Sequence, residues 1–238
     1  MSIALFTQVW GSCVGPTVAV ETGAAVARAE SGFSTLAIHD NTTNHTYAPA
    51  DLAQAVAIAT ALRSAGNSLD LGLMQIDSGN LARVGLTTAS TFDPCRNMAA
   101  GAQILVADYL AGDPRGDLQV RLRQALSRYN TGNTVAGFTN GYVERVQAAA
   151  DQIVPAIRLQ VDISHHAPTD VRHPASAPQA GSSDGLIDGL IHADPRAADT
   201  AIAPVSKGDA LIHTDEAPSP SLAAPVPTLS QAPPHPSG

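Results

Sequence analysis

Three short runs carry side chains able to do chemistry: Ala29-Glu30-Ser31-Gly32-Phe33, Gly72-Leu73-Met74-Gln75-Ile76 and Ser127-Arg128-Tyr129-Asn130-Thr131-Gly132. Glu30 can give up a proton and take it back, which is what general acid–base catalysis asks of a positioned carboxyl. Gln75, Tyr129 and Asn130 supply an amide, a phenol and a second amide, groups that hold polar substrates. Each run alone also has a plainer account. Glu30 before Ser31 and Gly32 is an ordinary exposed helix end, with Ser31 as a local hydrogen bonder. Leu73, Met74 and Ile76 read as core. Tyr129-Asn130 with Gly132 reads as a helix C-cap. Asp77 is the nearest candidate for a second carboxylate, although its setting reads as a solvated turn.

The elements that must position these residues are mostly helical. Pro16 suits a first helical position, and Val18, Ala25, Val26 and Ala29 form an apolar stripe running up to Glu30, with Gly32 as a left-handed stop. The polar stretch His39 to Tyr47 reads as a loop. Leu52, Ala55, Val56, Ala59 and Leu62 fall at helical spacing and predict a helix over about 50–65. Leu69 to Asp77 is short, apolar and interrupted by Gly72, so a turn or small hairpin is expected there. Asp93-Pro94 reads as an N-cap and first-turn pair opening a helix through Leu110. Gly112-Asp113-Pro114-Arg115-Gly116 reads as a turn, and further helices are predicted after it over about 118–129 and 142–154.

Composition divides the chain. Every Phe, Tyr and Trp lies between Phe6 and Tyr142, whereas most of the 17 prolines follow Val161. From Asp162 to Glu216 nine carboxylates face only Arg172, Arg196 and Lys207. A segment without large apolar side chains cannot offset its ordering entropy by burial. The expectation is one mostly α domain over 12–158, long enough for a sizeable core, and a disordered Pro/Ala-rich acidic tail over 159–238. Within that tail Asp184-Gly185-Leu186-Ile187 is nearly repeated by Asp188-Gly189-Leu190-Ile191, and 218–236 reads as polyproline-like linker. Residues 1–11 form an apolar lead segment, short for an export signal and without a basic residue before Arg28, so no complete signal is evident. No apolar run is long enough for a membrane span.

The net charge of −8 argues against nucleic acid, since no Lys/Arg cluster could neutralise phosphates. His39 and His45 flank a polar loop and read as solvated; no metal-ligand spacing such as His-Glu-x-x-His occurs. No cofactor or metal is expected, and neither a Gly-x-Ser-x-Gly elbow nor a phosphate-binding loop is present. Cys13 and Cys95 could form one disulfide or stand as two separate buried thiols.

In order and spacing, the three runs resemble the catalytic parts of lytic transglycosylases, which have a lysozyme-like fold and cleave peptidoglycan glycan strands. Cys13-Val14-Gly15-Pro16-Thr17-Val18 and Phe92-Asp93-Pro94-Cys95 are similar to the small transglycosylases that accompany type IV secretion systems. The resemblance covers roughly residues 12 to 150. It implies a lysozyme-like single domain with Glu30 as the catalytic acid and Ser31, Gly72, Met74, Gln75, Tyr129, Asn130 and Tyr142 as substrate-binding residues. Glu30 must then hold a proton near neutral pH, so an apolar pocket walled by Phe33, Leu73 and Met74 is expected around it. The resemblance further implies a periplasmic location, a Cys13–Cys95 bridge, a peptidoglycan glycan strand as partner, and type IV secretion subunits as partners of the tail. Two rival functions fit the same residues: a water-using muramidase, with Asp77 as its second carboxylate, and a non-catalytic glycan-binding assembly factor.

Overall fold

Two helices, two pairs of short strands on either side of a third helix, and four further helices follow one another along the described residues. In the computed structural model, which describes residues 1–164 with side chains as far as residue 155, helix α1 spans Ile3–Cys13 and α2 Val20–Ser31. Strands β1 (Ile38–Asp40) and β2 (His45–Tyr47) follow, then α3 (Leu52–Ser64), β3 (Leu69–Leu71) and β4 (Ile76–Asp77). Helices α4 (Pro94–Leu110), α5 (Leu118–Thr131), α6 (Ala136–Thr139) and α7 (Tyr142–Ser164) complete the described residues. The mostly helical expectation holds. Expectations for the acidic tail, its Gly-Leu-Ile repeat and its proline-rich end lie outside the described residues.

The centre of the core is α2, whose run Thr22 to Ala27 is buried on every side. Small side chains let neighbours come close, and α7 packs along it. On its other side α1 brings Phe6 and Trp10, stacked at 5.0 Å between ring centroids, with Phe33 edge-on to Phe6 at 5.5 Å. A Cβ on Gly23 would fall inside the Trp10 indole. Trp10 Nε1 meanwhile donates to the Val18 carbonyl at 2.9 Å, so the indole's own donor is satisfied. Cys13, ending α1, is disulfide-bonded to Cys95 in the first turn of α4, with Cα atoms 5.1 Å apart.

Four places depart from the sequence reading. The sequence places no helix before Pro16, yet α1 forms and supplies two of the largest core side chains. Pro16 sits in a single 3-10 turn (Gly15–Thr17), and the helix proper begins at Val20 after extended Val18. The stretch read as a loop, 39–47, holds the β1–β2 hairpin, three paired residues to a strand. Finally, α7 runs through Pro155 instead of stopping at Val154. Proline removes one ladder donor, and the carbonyl that loses its partner belongs to solvent-exposed Asp151.

The sheet is antiparallel in the order β2-β1-β3-β4. Register places Thr46, His39, Asp70 and Asp77 in one row across it. Because side chains alternate along a strand, Ile38, Asp40, Leu69 and Leu71 lie on the buried face, while His39 and Asp70 lie on the other. Asp40 also ties the first hairpin. Burial would push its carboxyl up, but hydrogen bonds from Thr43 Oγ1, Asn67 Nδ2 and the Thr42 and Thr43 N–H groups outweigh that and hold it below the usual range.

One buried charge opposes the fold. Asp108 in α4 is 1% exposed, and among the described residues neither carboxylate oxygen has a hydrogen-bond partner. Burial pushes its carboxyl up to about 7, against the pull of the Arg128 guanidinium. The unfolded chain therefore ionises Asp108 first, near pH 4. Its penalty is absent below that pH, grows through pH 4–7 and is complete above pH 7. Asp108→Asn is expected to raise stability by about 2–4 kcal/mol at pH 8 and to change little at pH 4. Thermal melts of both chains at the two pH values check this.

Candidate active site

Glu30 lies in the last turn of α2, the turn that Gly32 closes in the left-handed conformation (φ 60°). It opens into a cleft of about 300 Å3 between the helices and the outer face of the sheet. On the helix side the cleft is lined by Glu30, Ser31, Asn130, Tyr142 and Arg145, and on the sheet side by His39, Thr46, Asp70 and Gln75.

The Glu30 carboxyl is held from α7. Tyr142 is 1% exposed, and its hydroxyl donates to Glu30 Oε1 at 2.7 Å. A relay of amides fixes Tyr142 in turn. Asn140 Oδ1 accepts from the Tyr142 N–H at 2.9 Å, and Asn140 Nδ2 donates to Asn130 Oδ1 at 2.9 Å. Arg145 Nη1 donates to the Asn140 carbonyl at 3.1 Å, and the guanidinium lies 5.6 Å from the centre of the Tyr142 ring. Burial, then the charge of Glu30, pushes the Tyr142 phenol well above its ordinary range, with Arg145 opposing. The phenol thus remains a donor at working pH and does not compete with Glu30 as a base.

The second run serves the site as a shaped turn. Gly72 has φ 76°, and a Cβ there would meet Asn97 Nδ2 at 2.5 Å and the Thr91 carbonyl at 2.8 Å. Fully buried Asn97 accepts from the Met74 N–H at 2.7 Å and donates to the carbonyls of Leu71 and Thr91 at 3.0 and 2.9 Å. From the helix end, Ser31 Oγ donates to the Leu73 carbonyl at 2.6 Å, fastening the turn to the residue next to Glu30. Gln75 reaches the cleft but spends its Nε2 on the Gly72 carbonyl at 2.7 Å and the Ala37 carbonyl at 3.3 Å.

Of the residues expected to contact substrate, Ser31, Gln75, Asn130 and Tyr142 line the cleft together with Glu30. Gly72, Met74 and Tyr129 do not line it, and each has a physical reason. The close approach at Gly72 is to Asn97, beneath the turn. Met74 is wholly buried, packed where Gly101 of α4 has no side chain. Tyr129 is 1% exposed and donates to the Met74 carbonyl at 2.8 Å. Phe33, Leu73 and Met74 are likewise core, so the walls beside Glu30 are polar where apolar ones are expected. Asp77 shares the row of Asp70 but is 6% exposed and does not line the cleft, its carboxylate accepting from Ser68 Oγ at 3.1 Å and the Gly79 N–H at 2.7 Å. The second carboxylate of the cleft is Asp70, which the sequence reading passes over along with Thr46 and Arg145, while His39, read there as solvated, also lines the cleft. The alternation Leu69-Asp70-Leu71 carries the signal that could find it, an acidic residue on the face opposite two apolar ones.

The family model described as the transglycosylase SLT domain matches residues 15–152, more than half of the chain. A protein named VirB1 from Rhizobium radiobacter is 44% identical over 157 residues, covering 66% of this chain and 65% of that protein. A type IV secretion system protein VirB1 from Brucella suis biovar 1 is 36% identical over 175 residues, covering 67% of this chain and 74% of that protein. The chain thus spans slightly less than two thirds of the Rhizobium relative's length. No solved structure matches it.

Proposed function

The chain belongs to the transglycosylase SLT domain family, and from that premise we propose that it is a peptidoglycan lytic transglycosylase opening the cell wall for a type IV secretion or conjugation apparatus. The observation that carries the reading is a single one: Glu30 at the mouth of a polar cleft, with one carboxyl oxygen fixed by Tyr142. With Oε1 accepting from Tyr142, the transferable proton of the neutral acid sits on Oε2. It passes to the glycosidic oxygen between N-acetylmuramic acid and N-acetylglucosamine as the C1–O bond breaks, leaving an oxocarbenium-like centre. The carboxylate so formed takes the proton of the muramoyl 6-hydroxyl, whose oxygen bonds to C1. One bond breaks, one forms, Glu30 recovers its proton, and no water is consumed. The glycan ends in a 1,6-anhydro-muramoyl residue.

The polar walls suit such a substrate, since sugar hydroxyls need partners when they leave water. Arg145, exposed at the rim, offers a cation to the carboxylates of the peptide stems. The secretion partner is inferred from the relatives named type IV secretion proteins, and a periplasmic site follows from the substrate. No helix among the described residues is long and apolar enough to cross a membrane.

Asp70 gives the hydrolytic reading one specific support, because two carboxylates in a cleft are what water-using glycosidases employ. Mass spectrometry of the soluble products from sacculi digested with the full-length chain separates the two. Anhydro ends, lighter by one water than reducing ends, are the expected result. Reducing ends alone would replace the transglycosylase reading with hydrolysis.

A further inference from the structure

Asn140 belongs to none of the three sequence runs and does not line the cleft, yet three residues that do are tied to it. It lies between α6 and α7, just before Gly141 turns the chain in the left-handed conformation (φ 74°). A backbone N–H can only donate, so the Tyr142 N–H takes Asn140 Oδ1 as its acceptor at 2.9 Å. That leaves Asn140 Nδ2 for Asn130 Oδ1, also at 2.9 Å. The Asn140 carbonyl, a main-chain group, accepts from Arg145 Nη1 at 3.1 Å, and its N–H donates to the Ala136 carbonyl at 3.0 Å. One exposed side chain thus joins the last turn of α5 to the first residue of α7, from a backbone anchored on α6.

The Tyr142 hydroxyl stands at the far end of a long, rigid side chain carried by that first residue. A small tilt of the first turn of α7 therefore becomes a larger shift at Glu30 Oε1, 2.7 Å from the hydroxyl. We propose that Asn140 is a positioning residue for the acid. By joining α5 to α7 it holds the Tyr142 hydroxyl on Oε1 and so keeps the transferable proton on Oε2. It touches no substrate and moves no proton. With the joint cut, the two carboxyl oxygens are no longer told apart, and the proton spends part of its time on the wrong one. A misplacement of about 1 Å in a catalytic group can cost roughly 10²-fold. The Arg145 bond to the main-chain carbonyl survives any side-chain change at 140, so the rim that meets the glycan is kept. The loss thus falls on turnover and leaves binding alone.

This inference rests on the proton transfer from Glu30 proposed above, and its test is a double-mutant cycle. Full-length native, Asn140→Ala, Tyr142→Phe and doubly substituted chains would be compared on solubilised glycan strands, well below the melting midpoint of each. Asn140→Ala is expected to lower kcat roughly ten-fold, burial of the Tyr142 ring limiting the shift to part of the full misplacement, with KM within about three-fold. Tyr142→Phe slows the reaction at least as much, and adding Asn140→Ala to it changes the rate less than about two-fold, because Asn140 acts through the hydroxyl already removed. Asn140→Asp should restore most of the rate, since its carboxylate still accepts from the Tyr142 N–H and the Asn130 amide can turn over to donate. Independent, multiplying losses in the cycle would overturn the role, as would native turnover in Asn140→Ala. So would Asn140→Asp as slow as Asn140→Ala, because the bond to the Tyr142 N–H would then not be what counts. Reducing ends from the native chain would overturn the transglycosylase reading alone. The cycle decides Asn140 in either case, because both reactions draw their proton from Glu30.

Discussion

A chain carrying Glu30→Gln is expected to cleave sacculi roughly 10²–10⁴ times more slowly than the native chain, the contribution of a positioned general acid–base. Glutamine matches glutamate in size, and its amide oxygen can still accept from the Tyr142 hydroxyl that bonds Oε1 at 2.7 Å. What it lacks is a proton that can leave and return. The walls of the cleft, the amide relay through Asn140 and the turn under Gln75 do not depend on the charge of residue 30. Melting and retention on sacculi should therefore stay close to native while the rate of release collapses. The rate of soluble muropeptide release checks it. Undiminished release would remove Glu30 from the chemistry. If the native chain also released nothing while still gripping glycan, the domain would be a binding module for assembly.

Removing the disulfide is expected to produce the largest loss of stability. Cys13 and Cys95 are 82 residues apart in sequence, and a closed loop of that size restricts the unfolded chain by about 4–5 kcal/mol on the chain-entropy account. The bridge also clamps α1 onto α4, and α1 holds Phe6 and Trp10 over the centre of the core. For a domain of this size the double variant Cys13→Ser, Cys95→Ser should melt about 10–15 °C lower than the oxidised native chain. Reductant should lower the native chain by a similar amount and leave the double variant unchanged. Calorimetry with and without reductant reads both. An equal melt for all four samples would show that core packing alone holds α1 in place.

The helices were legible where chemistry marks their ends. Asp93 accepts from a first-turn N–H group of α4, Gly32 and Gly132 close α2 and α5 in the left-handed region, and α3 was legible from the spacing of its apolar residues. Helix α1 escaped because it is short and its exposed side mixes Leu5 and Ala4 with Gln8 and Ser12, so the period set by Phe6 and Trp10 is weak. The strands β1 and β2 escaped for the opposite reason. Three residues each, with His45 and Thr46 exposed, they are too short and too polar for alternation to rise above a loop. Glu30, Gln75, Asn130 and Tyr142 were placed by motif. What a motif could not say is which of two tyrosines reaches the acid, since that depends on how α5 and α7 pack. Tyr129 turns to the Met74 carbonyl, and Tyr142 takes Glu30. Asp77 fails for a similar reason: register sets it beside Asp70 in one row, and only the folded sheet shows its carboxylate taken up by Ser68 and the Gly79 N–H while Asp70 lines the cleft.

The same short strands that floor the cleft also roof the core, with Asp70 on one face and Leu69 and Leu71 on the other. Adding or deleting one codon within β3 would shift the pairing by one place and exchange those faces, setting a carboxylate in the hydrophobic interior and a leucine before the substrate. Lineages that alter the length of this protein should therefore do so elsewhere, for instance in the exposed turn 111–117 between α4 and α5, and leave the stretch from 69 to 77 at constant length.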